Sequence, residues 1–210
     1  MIKGVIFDVD GVILDSLDIW DRIPSLFLEA HGIKPYLSLN EEIASLSYDE
    51  GIQYLNDTYH LNMSIQEIQS ELDDILFHYY DQEVSLQPFI QDYIDGFYKL
   101  KIPMCIATAG SKKNVIHAFS RLQILDKFEY ILSCDEIYSN KNHPDIYRQL
   151  AKAMNINKED IVVFEDDINA YTTAKKDGFQ AILVDRYLMS FQQFIESRED
   201  NENSFNNSGK

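Results

Sequence analysis

Apolar residues along this chain fall into two patterns that take turns. Short β-rich runs recur at Ile2–Val9 (IKGVIFDV), Pro103–Thr108 (PMCIAT), Tyr130–Ser133 (YILS), Ile161–Glu165 (IVVFE) and Ala181–Asp185 (AILVD). Short apolar runs closed by turn residues are the pattern of buried parallel strands. Between them the spacing turns helical. Leu86–Lys101 carries Phe89, Ile90, Tyr93, Ile94, Phe97 and Leu100; Asn114–Leu122 carries Val115, Ile116, Phe119 and Leu122; Pro144–Met154 carries Ile146, Tyr147, Leu150, Ala151 and Met154. Strand and helix in alternation predict an α/β fold, a Rossmann-like, doubly wound parallel sheet.

Residues 16 to 85 break the alternation and read as helix only. Leu17–His31, Asn40–Tyr59 and Ser64–Tyr80 each keep an apolar face, with Gly32, Pro35 and Asn62 as punctuation. A helical block is therefore inserted just after the first strand. The expected organisation is an α/β core from 1–15 plus 86–196, a helical cap over 16–85, and a polar, Asn/Ser-rich tail over 197–210. No internal repeat is present.

Composition narrows the function classes. The chain has 210 residues, 45% of them apolar, enough for one real core and part of a second. Its net charge is −17 with a pI near 4.5 and no basic run, which disfavours nucleic acid and anionic membranes as partners. The N-terminal segment is too short in apolar run and too soon acidic for a signal peptide, and no stretch has the length of a membrane span. Cys105 and Cys134 lie far apart in apolar runs without metal-ligand spacing, and read as small buried hydrophobes in a reducing compartment. A cytoplasmic monomer is expected.

The first strand ends in Asp8-Val9-Asp10-Gly11. Alternation puts both carboxylates on one side of an extended backbone, at the sheet edge where α/β proteins bind ligands. Two carboxylates that close call for a cation, and Mg²⁺ suits an oxygen site. Glu165-Asp166-Asp167 closes the fourth strand with a second acidic cluster, which alone would read equally as a helix cap and dipole complement. Thr108-Ala109-Gly110-Ser111, between a strand and a helix, has the hydroxyl and backbone donors of an anion site, or simply of an N-cap. Lys141 precedes a helix opened by Pro144, and taken alone is an ordinary surface charge.

The order of these elements closely resembles the haloacid dehalogenase superfamily, in its branch with a helical cap between the first and second motifs. FDVDGVILDS, CIATAGS, KNHPDIY and VVFEDDINAYTTAKKDGF carry the resemblance, which covers residues 1–190. It implies a Mg²⁺-dependent phosphoryl transferase acting on a small phosphorylated metabolite. Asp8 would be the nucleophile that forms an aspartyl-phosphate. Asp10 would be the general acid and base, with its backbone carbonyl on the metal. Thr108 and Ala109 would hold the phosphoryl group, Lys141 would neutralise nucleophile and phosphate, and Asp166 would ligate Mg²⁺ with Glu165 directly or through water. Three positions depart from the family pattern: Asn142 where Pro is usual, Gly110 where Ser is common, and Asp167 where many relatives have Ser.

The cap should choose the substrate, with Asp18, Trp20 and Asp21 on its first helix as candidate specificity residues, although Trp20 could equally anchor a core. Between 16 and 85, Arg22 and Lys34 stand against fourteen acidic residues, a net charge of −12. The resemblance implies that a β-phosphoglucomutase-like mutase would carry cap Arg and Lys residues for a second phosphate. It would also carry a His where this chain has Trp20. Phosphonate-cleaving relatives need a cap Lys, and Lys34 sits in the loop Gly32–Pro35; dehalogenases lack the second Asp of the first motif. A phosphatase is therefore expected ahead of a mutase or a silent ligand- or protein-binding member.

Overall fold

The computed structural model describes residues 2–44, 46, 48–184 and 190–198. The chain divides into two compact units, Met1–Asp15 with Ser85–Lys210, and Ser16–Val84. Among the described residues no helix is long and apolar enough to cross a membrane.

The first unit is built on five parallel strands in the order β3-β2-β1-β4-β5. These are β1 (Gly4–Phe7), β2 (Met104–Thr108), β3 (Tyr130–Ser133), β4 (Ile161–Glu165) and β5 (Gln180–Leu183). Helices α5 (Ile90–Lys99), α6 (Lys112–Arg121), α7 (Asp145–Met154) and α8 (Ile168–Asp177) belong to this unit. Successive strand residues point to opposite faces. Ile6, Cys105, Ala107 and Val163 meet Tyr147 and Leu150 of α7 and Ala174 of α8. On the other face Phe7 stacks on Phe164 at 4.8 Å and meets Phe97 of α5 edge-on at 6.2 Å. A further helix at 191–198 sets Phe191 and Phe194 against Tyr93 and Phe97. Gly96 makes that approach possible, because a Cβ there would run into the Phe191 ring. Helices cover both faces, so the sheet is doubly wound, as the alternation of runs predicts.

The second unit is helical: α1 (Leu17–Ala30), α2 (Leu39–Ile43), α3 (Tyr48–Tyr59) and α4 (Ile65–Gln82). A capping box starts α4, with Glu67 N–H donating to Ser64 Oγ and the Glu67 carboxylate accepting from Ser64 N–H. Polar pairs join α1 to α4: His31 Nε2 lies 2.7 Å from Glu71, and the Tyr79 hydroxyl donates to Asp18 at 3.1 Å.

Several expected boundaries move. The helix expected over Asn40–Tyr59 is two, α2 and α3; the sequence between them, Ala-Ser-Leu-Ser, is rich in a residue that competes with helical backbone bonds. The helix expected from Leu86 begins at Ile90. Leu86 instead bridges Leu14, Gln87 is biased away from helix by Pro88, and Phe89 takes a left-handed φ of 68°. Residues 197 and 198 continue the last helix rather than opening a tail, and the rest of the expected tail, from 199, lies outside the described residues, as does Asp185.

Candidate active site

The carboxyl ends of the central strands bring the acidic motifs together. Asp8 directly follows β1, Glu165 ends β4, and Asp166 follows it; β1 and β4 are hydrogen-bonded neighbours, and Asp8 N–H donates to Phe164 O at 2.9 Å. One oxygen from each of Asp8, Glu165 and Asp166 lies within 4.8 Å of the others. Lys141, from the loop before α7, stands between two of them. Its Nζ is 2.5 Å from Asp8 Oδ1 and 3.0 Å from Glu165 Oε1, and only 10% of the side chain is exposed. It is therefore not the solvated surface charge that a lone loop lysine would be.

Glu165 is fully buried, and both its oxygens are engaged: Oε1 accepts from the Tyr147 hydroxyl at 2.7 Å as well as from Lys141, and Oε2 accepts from Lys141 at 3.2 Å. Burial first, and the Asp8 charge second, push the Glu165 carboxyl up to about 8. The same causes in the same order bring Asp166 to about 6. Burial opposes the Lys141 charge, but Asp8 and Glu165 more than offset it and raise the ammonium above its ordinary value. Burial also raises the Tyr147 phenol, with Glu165 adding to it, so the hydroxyl stays a donor. One lysine does not neutralise three crowded carboxylates. An all-oxygen donor set short of positive charge fits a hard divalent cation such as Mg²⁺.

Asp10 is not one of the three acids whose oxygens gather within 4.8 Å. Gly11, with φ 74°, turns the chain, and three amides, those of Val12, Ile13 and Leu14, close on Val9 O. The Asp10 carboxylate comes beside the end of β2, where a Cβ at Gly110 would stand 3.4 Å from both Asp10 Oδ2 and Thr108 Oγ1. Thr108 is buried; its Oγ1 accepts from Gly110 N–H at 2.9 Å, which leaves its own O–H to donate. Ala109 is exposed at the head of the turn into α6. The missing Ser at 110 thus leaves ordinary van der Waals space beside Asp10.

The other two departures have local explanations. Asp167 caps α8, its Oδ1 accepting from Asn169 N–H and Ala170 N–H at 2.8 Å each. Asp167→Ala is expected to cost ~1 kcal/mol in urea denaturation, while Asp167→Ser stays near the wild type. Asn142 lacks the stiffness of proline, but its N–H, which proline would not have, donates to Asn140 Oδ1 at 3.0 Å and ties the loop that carries Lys141.

The cap candidates are placed within their own unit. Asp18 is engaged by Arg22 at 2.9 Å and by Tyr79, and Asp21 is exposed. Trp20 is 43% exposed and lines a cavity of about 180 Å³ with Ile23, Pro24, Ile43, Ile52 and Leu72, so it is no buried anchor. Sequence reasoning missed Tyr147, which it counted as one more apolar position of α7. The available signal was a phenol at a buried helical position, where its hydroxyl needs a partner.

The sequence matches the family model described as haloacid dehalogenase-like hydrolase over residues 5–184. It is 23% identical over 181 residues to the phosphorylated carbohydrates phosphatase of Thermotoga maritima, covering 86% of this chain and 83% of that one. It is 25% identical over 193 residues to the beta-phosphoglucomutase of Bacillus subtilis, covering 87% and 83%. A crystal structure of beta-phosphoglucomutase from Clostridium difficile shares the fold, with a TM-score of 0.71 at 22% identity over 98% of this chain and 99% of that one. A family match from the first strand to the end of the last, on a sheet whose edge gathers the motif residues, establishes that this chain belongs to the haloacid dehalogenase-like hydrolases and is an enzyme of that family.

Proposed function

We propose that this enzyme is a Mg²⁺-dependent phosphatase that hydrolyses a small phosphorylated metabolite through an aspartyl-phosphate on Asp8. The observation that carries the reading is the different surroundings of two nearby carboxylates. Asp8 is held 2.5 Å from Lys141 amid other acids, while Asp10 comes beside Thr108 and Gly110. An Asp8 oxygen attacks phosphorus as the bond to the leaving oxygen breaks, and Asp10 gives that oxygen its proton. Asp10 then takes a proton from water as the water attacks phosphorus; the acyl-phosphate bond breaks and Asp8 is regenerated as carboxylate. Asp8, Asp166 and the Asp10 backbone carbonyl would hold Mg²⁺, which when bound offsets the repulsion between carboxylate and phosphate. Thr108 and the Ala109 backbone would hold the phosphoryl oxygens, and Lys141 would shield the approach of Asp8.

Similarity to beta-phosphoglucomutase favours a second reading, a phosphosugar mutase. The residues argue against it. Of the two cap cations, Arg22 is paired with Asp18, Lys34 is exposed in a loop, and Trp20 stands where a mutase histidine is expected. The cap's net charge of −12 also opposes a second phosphate.

The test is a panel of phosphate monoesters and bisphosphates assayed with EDTA and with added Mg²⁺. Chelation should abolish turnover and Mg²⁺ restore it. Sugar, polyol, nucleoside or amino-alcohol phosphates should lead in kcat/KM, by a margin that shrinks as salt rises. Turnover indifferent to chelation removes the metal from the reading, and a panel led by bisphosphates revives the mutase.

A further inference from the structure

We infer that Gly110 is a specificity residue that admits phosphate esters of secondary alcohols, in which the scissile oxygen sits on a branched carbon. The inference deepens the phosphatase reading and rests on it. Neither the backbone nor the packing requires a glycine at this position. The φ of Gly110 lies outside the left-handed region that favours glycine. The residue is partly exposed in the turn between β2 and α6. Its N–H donates to Thr108 Oγ1 at 2.9 Å, a backbone bond that alanine or serine would keep. Among the described residues, chain neighbours aside, a Cβ at 110 would meet two heavy atoms within 4 Å: Asp10 Oδ2 and Thr108 Oγ1, each at 3.4 Å.

Those two atoms serve opposite sides of the bond that breaks. In the proposed reaction Asp10 gives its proton to the leaving oxygen from hydrogen-bond distance, and Thr108 holds an oxygen of the phosphoryl group. A carbon in contact with both would stand beside the P–O bond itself. There it would compete for space with whatever the leaving carbon carries. A primary ester has one chain on that carbon, and the chain can point away. A secondary ester has two, and when one points away the other turns back toward the phosphoryl group. With no Cβ at 110, that second branch has its place. The P–O bond breaks and the C–O bond stays, so the alcohol leaves with its oxygen and its branched carbon intact.

Glycerol 2-phosphate and glycerol 3-phosphate share formula and charge and differ in branching at the ester carbon. With Mg²⁺, the wild type should turn over the two with kcat/KM values within about tenfold of each other. Gly110→Ala adds a single carbon, and Gly110→Ser adds an oxygen to it. Each should cut kcat/KM for the secondary isomer by about tenfold or more, the effect of one carbon too many in a pocket, and for the primary isomer by less than about threefold. Inhibition by inorganic phosphate, which carries no leaving carbon, should shift by less than about twofold. A wild type that hydrolyses neither isomer nor an aryl phosphate would sink the phosphatase reading itself. If the aryl phosphate is hydrolysed, three results overturn the Gly110 assignment alone. The first is a wild type that rejects the secondary isomer. The second is variants that lose both isomers equally, or neither. The third is a phosphate inhibition constant that rises as far as the secondary isomer's kcat/KM falls, which would place the effect on Thr108 and not on the branch.

Discussion

Asp8→Asn is expected to leave a folded protein whose turnover of an aryl phosphate has fallen on the order of 10⁴-fold or more. The amide keeps the shape of the carboxylate and loses the nucleophilic oxygen. Stability should hold or rise. Lys141 retains Glu165 at 3.0 Å, and the group of Asp8, Glu165 and Asp166 loses one of its crowded charges. Urea denaturation of the metal-free protein checks the second half of the statement and initial rates with Mg²⁺ the first. A folded variant that keeps more than about a tenth of the activity removes Asp8 from the role of nucleophile.

Lys141→Ala should damage both stability and rate. Its ammonium is the cation in contact with Asp8 and Glu165, and the Glu165 side chain is wholly buried. Removing one partner of a buried pair strands the other, at a cost of about 3–5 kcal/mol. The rate should fall by ~10³ even in the folded fraction, because the attacking carboxylate loses the ammonium that faces it and meets the phosphate with less positive charge around it. Added Mg²⁺ should recover more stability in this variant than in the wild type, since a bound cation replaces part of the missing charge. Denaturation curves with and without Mg²⁺ measure this, and a K141A protein that unfolds like the wild type would show that the pairing contributes little.

The sheet was legible because its strands are apolar runs closed by recognisable turns. The runs read at Tyr130–Ser133 and Ile161–Glu165 are the strands as they stand, and the order of motif residues along the chain is the order of strand ends that gathers them. What periodicity cannot supply is the partner of a polar atom on an apolar face. Tyr147 has the spacing of a core residue and is one; only the fold brings the end of β4 within reach of its hydroxyl. Asp167 has the charge of a metal ligand and the position of a cap, and two backbone N–H bonds decide for the cap. Asn142 lacks the ring of the usual proline, yet a neighbouring asparagine side chain ties the same loop. In the helical unit, spacing alone carries one apolar face from Asn40 to Tyr59, whereas the chain ends one helix at Ile43 and begins another at Tyr48.

The phosphoryl group passing through Asp8 is the central claim, and rapid quenching tests it most directly. In Asp10→Asn, attack on an aryl phosphate with a good leaving group needs little acid, while the water of the second step loses its base. This variant, mixed with such a substrate and Mg²⁺, stopped in acid, digested and read by mass spectrometry, should carry one phosphoryl group on the peptide that contains Asp8. The same experiment in the D8N/D10N double variant should carry none. Release of the aryl alcohol with every peptide unmodified, or with the phosphoryl group on another residue, would contradict the account.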